Sequence, residues 1–140
     1  MVEFAISASA LLLIMFGILE FGRVMYIYHT VSNAARLGSR WAMVRGSGCS
    51  KLDHCSASSS DIQTWVQSQV PMVDAANTLQ VNATWSNSSD PSVDCDPNNG
   101  TNAPGHLVCV TVQYPFNFAI PFVSTTALTL SSTSKMVIAN

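Results

Sequence analysis

The hydrophobic and polar positions of this chain fall into unlike stretches. Phe4 to Leu19 reads FAISASALLLIMFGIL, sixteen residues without a charge. After Glu20 the apolar character resumes through Phe21, Gly22, Arg23 and VMYIY. Further on the pattern becomes two-faced. Val24, Tyr28, Val31, Ala35 and then Trp41 or Ala42 recur near helical spacing, while Asn33, Arg36 and Arg40 fall elsewhere. No proline occurs in residues 1 to 70. The spacing therefore predicts one unbroken helix from Phe4 to Val44, about 60 Å long at about 1.5 Å per residue.

A bilayer core about 30 Å thick takes about 20 apolar residues, so the first part of this rod is long enough to span one. Leu11, Leu12, Ile14, Met15, Phe16, Ile18 and Leu19 are expected to be shielded by lipid or by copies of the same helix. Glu20 and Arg23 interrupt the run at i, i+3 and are expected to pair on one face, because unpaired charges in a membrane are costly. Gly17 and Gly22 flank Glu20 and weaken the helix by up to about 1 kcal/mol each relative to alanine, so local stretching is expected there on assembly. The amphipathic second half is expected to pack on a globular head.

Beyond the rod, Ser60-Asp61-Ile62-Gln63 fits the capping box S-x-x-Q, and Ile62, Trp65, Val66 and Val70 then form one face of a short helix that Pro71 ends or kinks. Three stretches alternate with period two. Leu79, Val81, Ala83 and Trp85 share a face, as do Val108, Val110, Val112 and Tyr114. In Ala127 to Ile138 the shared positions are Leu128, Leu130, Met136 and Ile138, interrupted by Ser132 and Ser134. Such alternation marks an antiparallel sheet with one buried face. The fold class expected is α+β: a long N-terminal helix over residues 1–45, packed on a small antiparallel sheet head over residues 46–140 with one additional short helix.

Ser86 to His106 is a long polar connection, and loops of such length are uncommon unless functional, disordered or tied down. Within it Asp94, Asp96 and Asn98 have the opening spacing of a calcium loop. Asn99 and Gly105 then stand where glycine and a bidentate glutamate are required, so a solvated turn is the better reading. Pro115 to Pro121, PFNFAIP, reads as a loop closing over the core, or as an apolar patch meeting a neighbouring subunit. Asn82, Asn87 and Asn99 each sit in N-x-S/T sequons, possible glycosylation acceptors that also arise by chance in a Ser/Thr/Asn-rich chain.

Charge and cysteine content narrow the classes. Charged residues make up 10% of the 140 residues and the net charge is −2, against about 25% charged in ordinary soluble proteins. Six basic residues, most of them along one helix, give no concentrated positive face for nucleic acid. Cys49, Cys55, Cys95 and Cys109 read as disulfides formed in an oxidising compartment. Of the possible connectivities, Cys49–Cys55 and Cys95–Cys109 are favoured because each closes a local loop. A metal site has little to stand on, since there is no CxxC pair and His54 supplies one ligand at most. No metal or other cofactor is expected. Catalysis lacks a constellation too: His29, His54 and His106 are scattered, Glu3 and Glu20 are well separated on the rod, and no nucleophile elbow, phosphate loop or H-E-x-x-H motif occurs. The chain is not expected to be an enzyme.

Topology raises a conflict. All basic residues lie C-terminal to the apolar run, which would hold the head inside the cell, whereas the cysteines place it outside. A basic leader, later removed, reconciles the two, so Met1 is not expected to be the first residue translated.

Several motifs together resemble a known family. V-E-F-A at Val2 to Ala5, G-I-L-E-F-G-R at Gly17 to Arg23 and V-S-N-A-A-R-x-G at Val31 to Gly38 are similar to TadE-like, tight-adherence pilin and pseudopilin proteins. The closing V-x-V-T-V-x-Y-P-F at Val108 to Phe116, followed by L-T-L-S-S-T-S-K-M, is similar as well. The resemblance implies a type IV pilin-like subunit, cut by a prepilin peptidase, handled by a Tad-type assembly machine and held in the inner membrane before assembly. It also implies an assembly carboxylate near the start of the rod, a role Glu3 matches in motif. Three readings follow: a structural subunit of an extracellular pilus built of copies of itself, a minor pseudopilin that stays in the envelope and primes another pilin, or a single-span anchored binding module.

Overall fold

The computed structural model describes residues 2–70, 79–95, 100–118 and 128–139. One helix, α1 (Val2–Met43), forms the rod and spans about 63 Å at about 1.5 Å rise. Glu3 in its first turn and Arg40 in its last both complement the helix dipole. A second helix, α2 (Ser59–Gln69), follows. The strands are β1 (Gln80–Ser86), β2 (Leu107–Phe116) and β3 (Leu128–Val137). They pair antiparallel in the order β1-β2-β3. The arrangement is α+β, as the sequence pattern predicts.

The registers put Val81, Ala83 and Trp85 opposite Val112, Val110 and Val108, and Val108, Val110, Val112 and Tyr114 opposite Met136, Ser134, Ser132 and Leu130. That face meets the second half of α1. Val31, Ala34, Ala35, Gly38, Ser39, Trp41 and Ala42 are buried there. Most of these side chains are small, which lets the helix axis approach the sheet closely. Ser134, which interrupts the apolar alternation of β3, shares a 2.9 Å hydrogen bond with the fully buried Ser39. The pair satisfies two hydroxyls in an otherwise apolar interface, where an unpaired one would cost about 1–3 kcal/mol.

Two local expectations need correcting. The N-cap of α2 is Ser58 rather than Ser60: its hydroxyl accepts from the Asp61 amide, while the Asp61 carboxylate accepts from the Ser58 amide. Aspartate thus does at N3 what glutamine was expected to do, and this earlier start still seats Ile62 and Val66 in the core. On α1, Tyr28 lies outside the buried face, and Ile27 packs against the core in its place. The contact face has rotated by one residue so that Val31 and Ala34 can meet the sheet. Pro71, Ala127 and residues 119–121 of the PFNFAIP tail lie outside the described residues.

α2 also dresses the outer edge of β1. The Ala83 amide donates to the Ser59 hydroxyl at 3.1 Å, and the Gln67 side-chain amide donates to the Leu79 carbonyl at 2.9 Å. An edge strand left bare is a template for unwanted pairing, so these bonds blunt one side of the sheet.

Candidate assembly surface on the N-terminal rod

Among the described residues, the head leaves the start of α1, Val2 to Leu19, uncovered. From Val2 to Leu19 every residue is exposed except the half-buried Ala8, and the window judged able to cross a membrane has no residue buried by the rest of the chain. Leu11, Leu12, Ile14, Met15, Phe16, Ile18 and Leu19 keep between 48% and 69% of their surface open. Fully burying a side chain of this kind gains about 1.5–3 kcal/mol. With roughly half of each already covered by its own helix, shielding the seven gains on the order of 10 kcal/mol. That rivals the whole stability of a domain, about 5–15 kcal/mol. Such a surface is stable only against lipid or other apolar protein.

Glu3 is exposed in the first turn, in line with the apolar residues. Glu20 is different, being only 6% exposed. Both its oxygens accept from one Arg23 nitrogen, at 2.9 and 2.7 Å, so the expected i, i+3 pair forms. The Arg23 guanidinium also lies over the Phe116 ring, 5.3 Å from its centroid, and Phe116 is itself buried against the exposed Phe118 in an edge-on contact. Cation–π contacts of this kind add about 0.5–2 kcal/mol. Glu20, Arg23 and Phe116 thus form a neck that ties the emerging rod to the end of β2. Phe116 belongs to the core, whereas Phe118 lies at the surface, so the described part of the PFNFAIP segment has both characters.

Two disulfides staple the head, Cys49–Cys55 and Cys95–Cys109, the pairing favoured from loop closure. Cys109 stands opposite Lys135 across β2 and β3. The Lys135 ammonium donates to the Asp94 carboxylate at 2.7 Å and to the Val93 carbonyl at 3.1 Å. A covalent bond and a charged bond therefore hold the long polar connection side by side. The Lys135 contact also keeps the Asp94 carboxyl below the usual carboxylate range. Among the calcium-like positions, Asp94 is thus engaged by lysine, while Asp96 and Asn98 lie outside the described residues. Of the sequons, Asn82 is exposed on β1 and Asn87 accepts through Oδ1 from the Thr101 amide and hydroxyl. Asn99 lies outside the described residues.

Sequence reasoning missed two residues. Gly38 sits where any side chain would strike Val66 and Val110; its signal was the row of small residues Ala34, Ala35, Gly38, Ser39 and Ala42. Asn102 donates to the Arg45 and Ala57 carbonyls, and its own backbone carbonyl accepts from the Ser47 amide at 2.6 Å, joining the end of α1 to both loops. No pattern in the sequence marks it.

No curated protein and no solved structure matches the chain. The strands that resemble a family ending lie outside the residues that a family model matches. That match covers residues 1–40, almost the whole of α1, and over this exposed apolar rod the chain is similar to the family described as TadE-like protein.

Proposed function

We propose that the chain is a non-enzymatic structural subunit of an extracellular pilus, inserted in the inner membrane first and then packed with copies of itself through α1. The observation that carries this is the apolar rod from Val2 to Leu19, which the described residues of the head leave uncovered. The TadE-like match over residues 1–40 supports a place in the Tad pilus system, where a prepilin-type peptidase would process the chain before assembly. The two disulfides suit a head that faces an oxidising exterior. Glu3, a carboxylate on an apolar helix, is the group a cation on a neighbouring subunit would neutralise during packing.

Shearing surface filaments from cells and quantifying this chain in them tests the reading. A major share of the filament protein supports it. Trace amounts would favour a minor subunit that primes another pilin, and an unrelated membrane span that replaces residues 2–24 without loss of function would refute a role for the rod in assembly.

A further inference from the structure

The end of α1, the Cys49–Cys55 loop and α2 enclose an open cleft of about 260 Å³ lined by Trp41, His54, Asp61, Thr64, Trp65 and Ser68. Sites for drug-sized ligands run to about 300–1,000 Å³ and combine aromatic walls with a few convergent polar groups. This cleft has that composition at the scale of a single ring. We propose that it binds a neutral saccharide ring.

The aromatic part is built in advance. Trp41 and Trp65 stack with centroids 5.4 Å apart and planes 22° apart, and the Arg45 guanidinium lies 4.2 Å from the Trp41 centroid. Trp41 is buried by these contacts, while Trp65 stays half-exposed at the cleft wall. A flat apolar surface of this kind suits the C–H face of a pyranose and loses little conformational freedom on binding.

On the polar side Asp61 is fixed. One oxygen of Asp61, Oδ2, is held by the Ser58 amide at 2.9 Å and the Ser58 hydroxyl at 2.6 Å. The other, Oδ1, stands 3.9 Å from His54 Nδ1. Hydrogen bonds to oxygen run about 2.7–3.2 Å, so this gap is too wide for a direct bond. A hydroxyl, which both donates and accepts, bridges it: it donates to Asp61 Oδ1 and accepts from the imidazole N–H. His54 is held at φ 56° beside Cys55, a left-handed conformation uncommon outside glycine, and its ring lies 6.4 Å from Trp41. The hydroxyls of Thr64 and Ser68 donate to helix carbonyls at 2.9 and 2.6 Å; the Ser68 oxygen also accepts from the Gln69 side-chain amide at 3.3 Å, so Thr64 is the freer acceptor for a ligand.

Charge selects among ligand classes. A cation finds the Trp41 ring already occupied by the Arg45 guanidinium, which lies outside the cleft lining, and has Asp61 as its one carboxylate there. An anion would meet Asp61, whose carboxyl the Ser58 hydrogen bonds hold below the usual carboxylate range and therefore ionised. A neutral polyol meets neither penalty and uses both acceptor and donor groups. The site is more than 20 residues along the helix from Leu19, about 33 Å at about 1.5 Å per residue, and does not depend on how the rod assembles.

The test uses the intact chain in a detergent without a sugar headgroup. Methyl glycosides of glucose, galactose, mannose and N-acetylglucosamine are titrated, with tetramethylammonium and acetate as charged comparisons, while the indole N–H resonances of all three tryptophans are followed. At least one glycoside is expected to shift Trp41 and Trp65 saturably at millimolar concentration and to leave Trp85 unmoved. Trp65→Leu is expected to weaken binding about tenfold, and His54→Ala, at an exposed position, about threefold. If Trp65→Leu fails to fold, His54→Ala alone decides. The proposal is overturned if no glycoside gives a saturable shift, if tetramethylammonium or acetate binds as well as the best glycoside, or if His54→Ala binds like the unaltered chain.

Discussion

Replacing Gly38 with alanine is expected to weaken the head, although alanine is the better helix former by about 1 kcal/mol. The reason is the close approach of three elements at this point. A Cβ on Gly38 would lie 2.9 Å from Val66 Cγ2 on α2 and 3.0 Å from Val110 Cγ1 on β2. Both valines are fully buried and, being β-branched, have little rotamer freedom with which to retreat. Relief must come from moving backbone, and overpacking of this kind costs about 1–3 kcal/mol. Subtracting the propensity gain leaves a net loss of up to about 2 kcal/mol. Gly17 and Gly22, with no atom within 4 Å of such a Cβ, supply the comparison: alanine there leaves the head unchanged. Urea unfolding in micelles, followed by the near-ultraviolet signal of the Trp41–Trp65 stack, measures the difference. Gly38→Ala at or above the stability of the unaltered chain would refute the packing argument.

Other outcomes follow from the same geometry. Arg23→Ala removes both bonds to the nearly buried Glu20 and the Phe116 contact; because Arg23 is itself half-exposed, the loss expected in thermal unfolding is about 1–3 kcal/mol. Replacing both Cys95 and Cys109 with alanine is expected to cost about 3 kcal/mol, and removing Cys49–Cys55, which closes a shorter loop, about 2 kcal/mol on the chain-entropy account; denaturant midpoints of the two double variants give the order. Asp61 and Asp94 have carboxyls held low, by Ser58 and by Lys135 respectively. Their contribution is complete above the unfolded value near 3.8 and is lost as pH falls below it through the lowered folded values. An acid-unfolding series in which Asp94→Asn flattens the slope in that window checks the sign. In the assembled state the helix is expected to stretch near Gly17 and Gly22, and a filament structure with an unbroken helix from Ile14 to Met25 would contradict it.

The rod was legible because three independent signals agreed: a charge-free run, later helical periodicity and the absence of proline. The strands were legible for a similar reason, since Val81 and Ala83 of β1 and Val108, Val110 and Val112 of β2 recur at every second position and are all buried, although Leu107 and Cys109 on the other face of β2 are buried too. The small face of α1 was harder to see. Ala34, Gly38 and Ser39 carry little hydrophobic signal, so a count of large apolar residues favoured Tyr28, which the structure leaves outside the core. Ser132 and Ser134 looked like interruptions of β3 until Ser39 supplied a partner for Ser134. The cap of α2 was misplaced by two residues because Gln63 completes the S-x-x-Q pattern from Ser60, whereas Ser58 is completed by Asp61. The core positions of Ile62 and Val66 and the bond from Ala83 to Ser59 choose between them. The cleft on the head was invisible in one dimension, because Trp41, His54 and the α2 residues meet only through the fold.

Sedimentation of the intact chain in buffer without lipid or detergent tests the central claim most directly. With the rod from Val2 to Leu19 uncovered by its own head, the account predicts assemblies in which those residues are protected from solvent, and no stable monomer. A lasting, soluble 15.0 kDa monomer with the rod intact would contradict it.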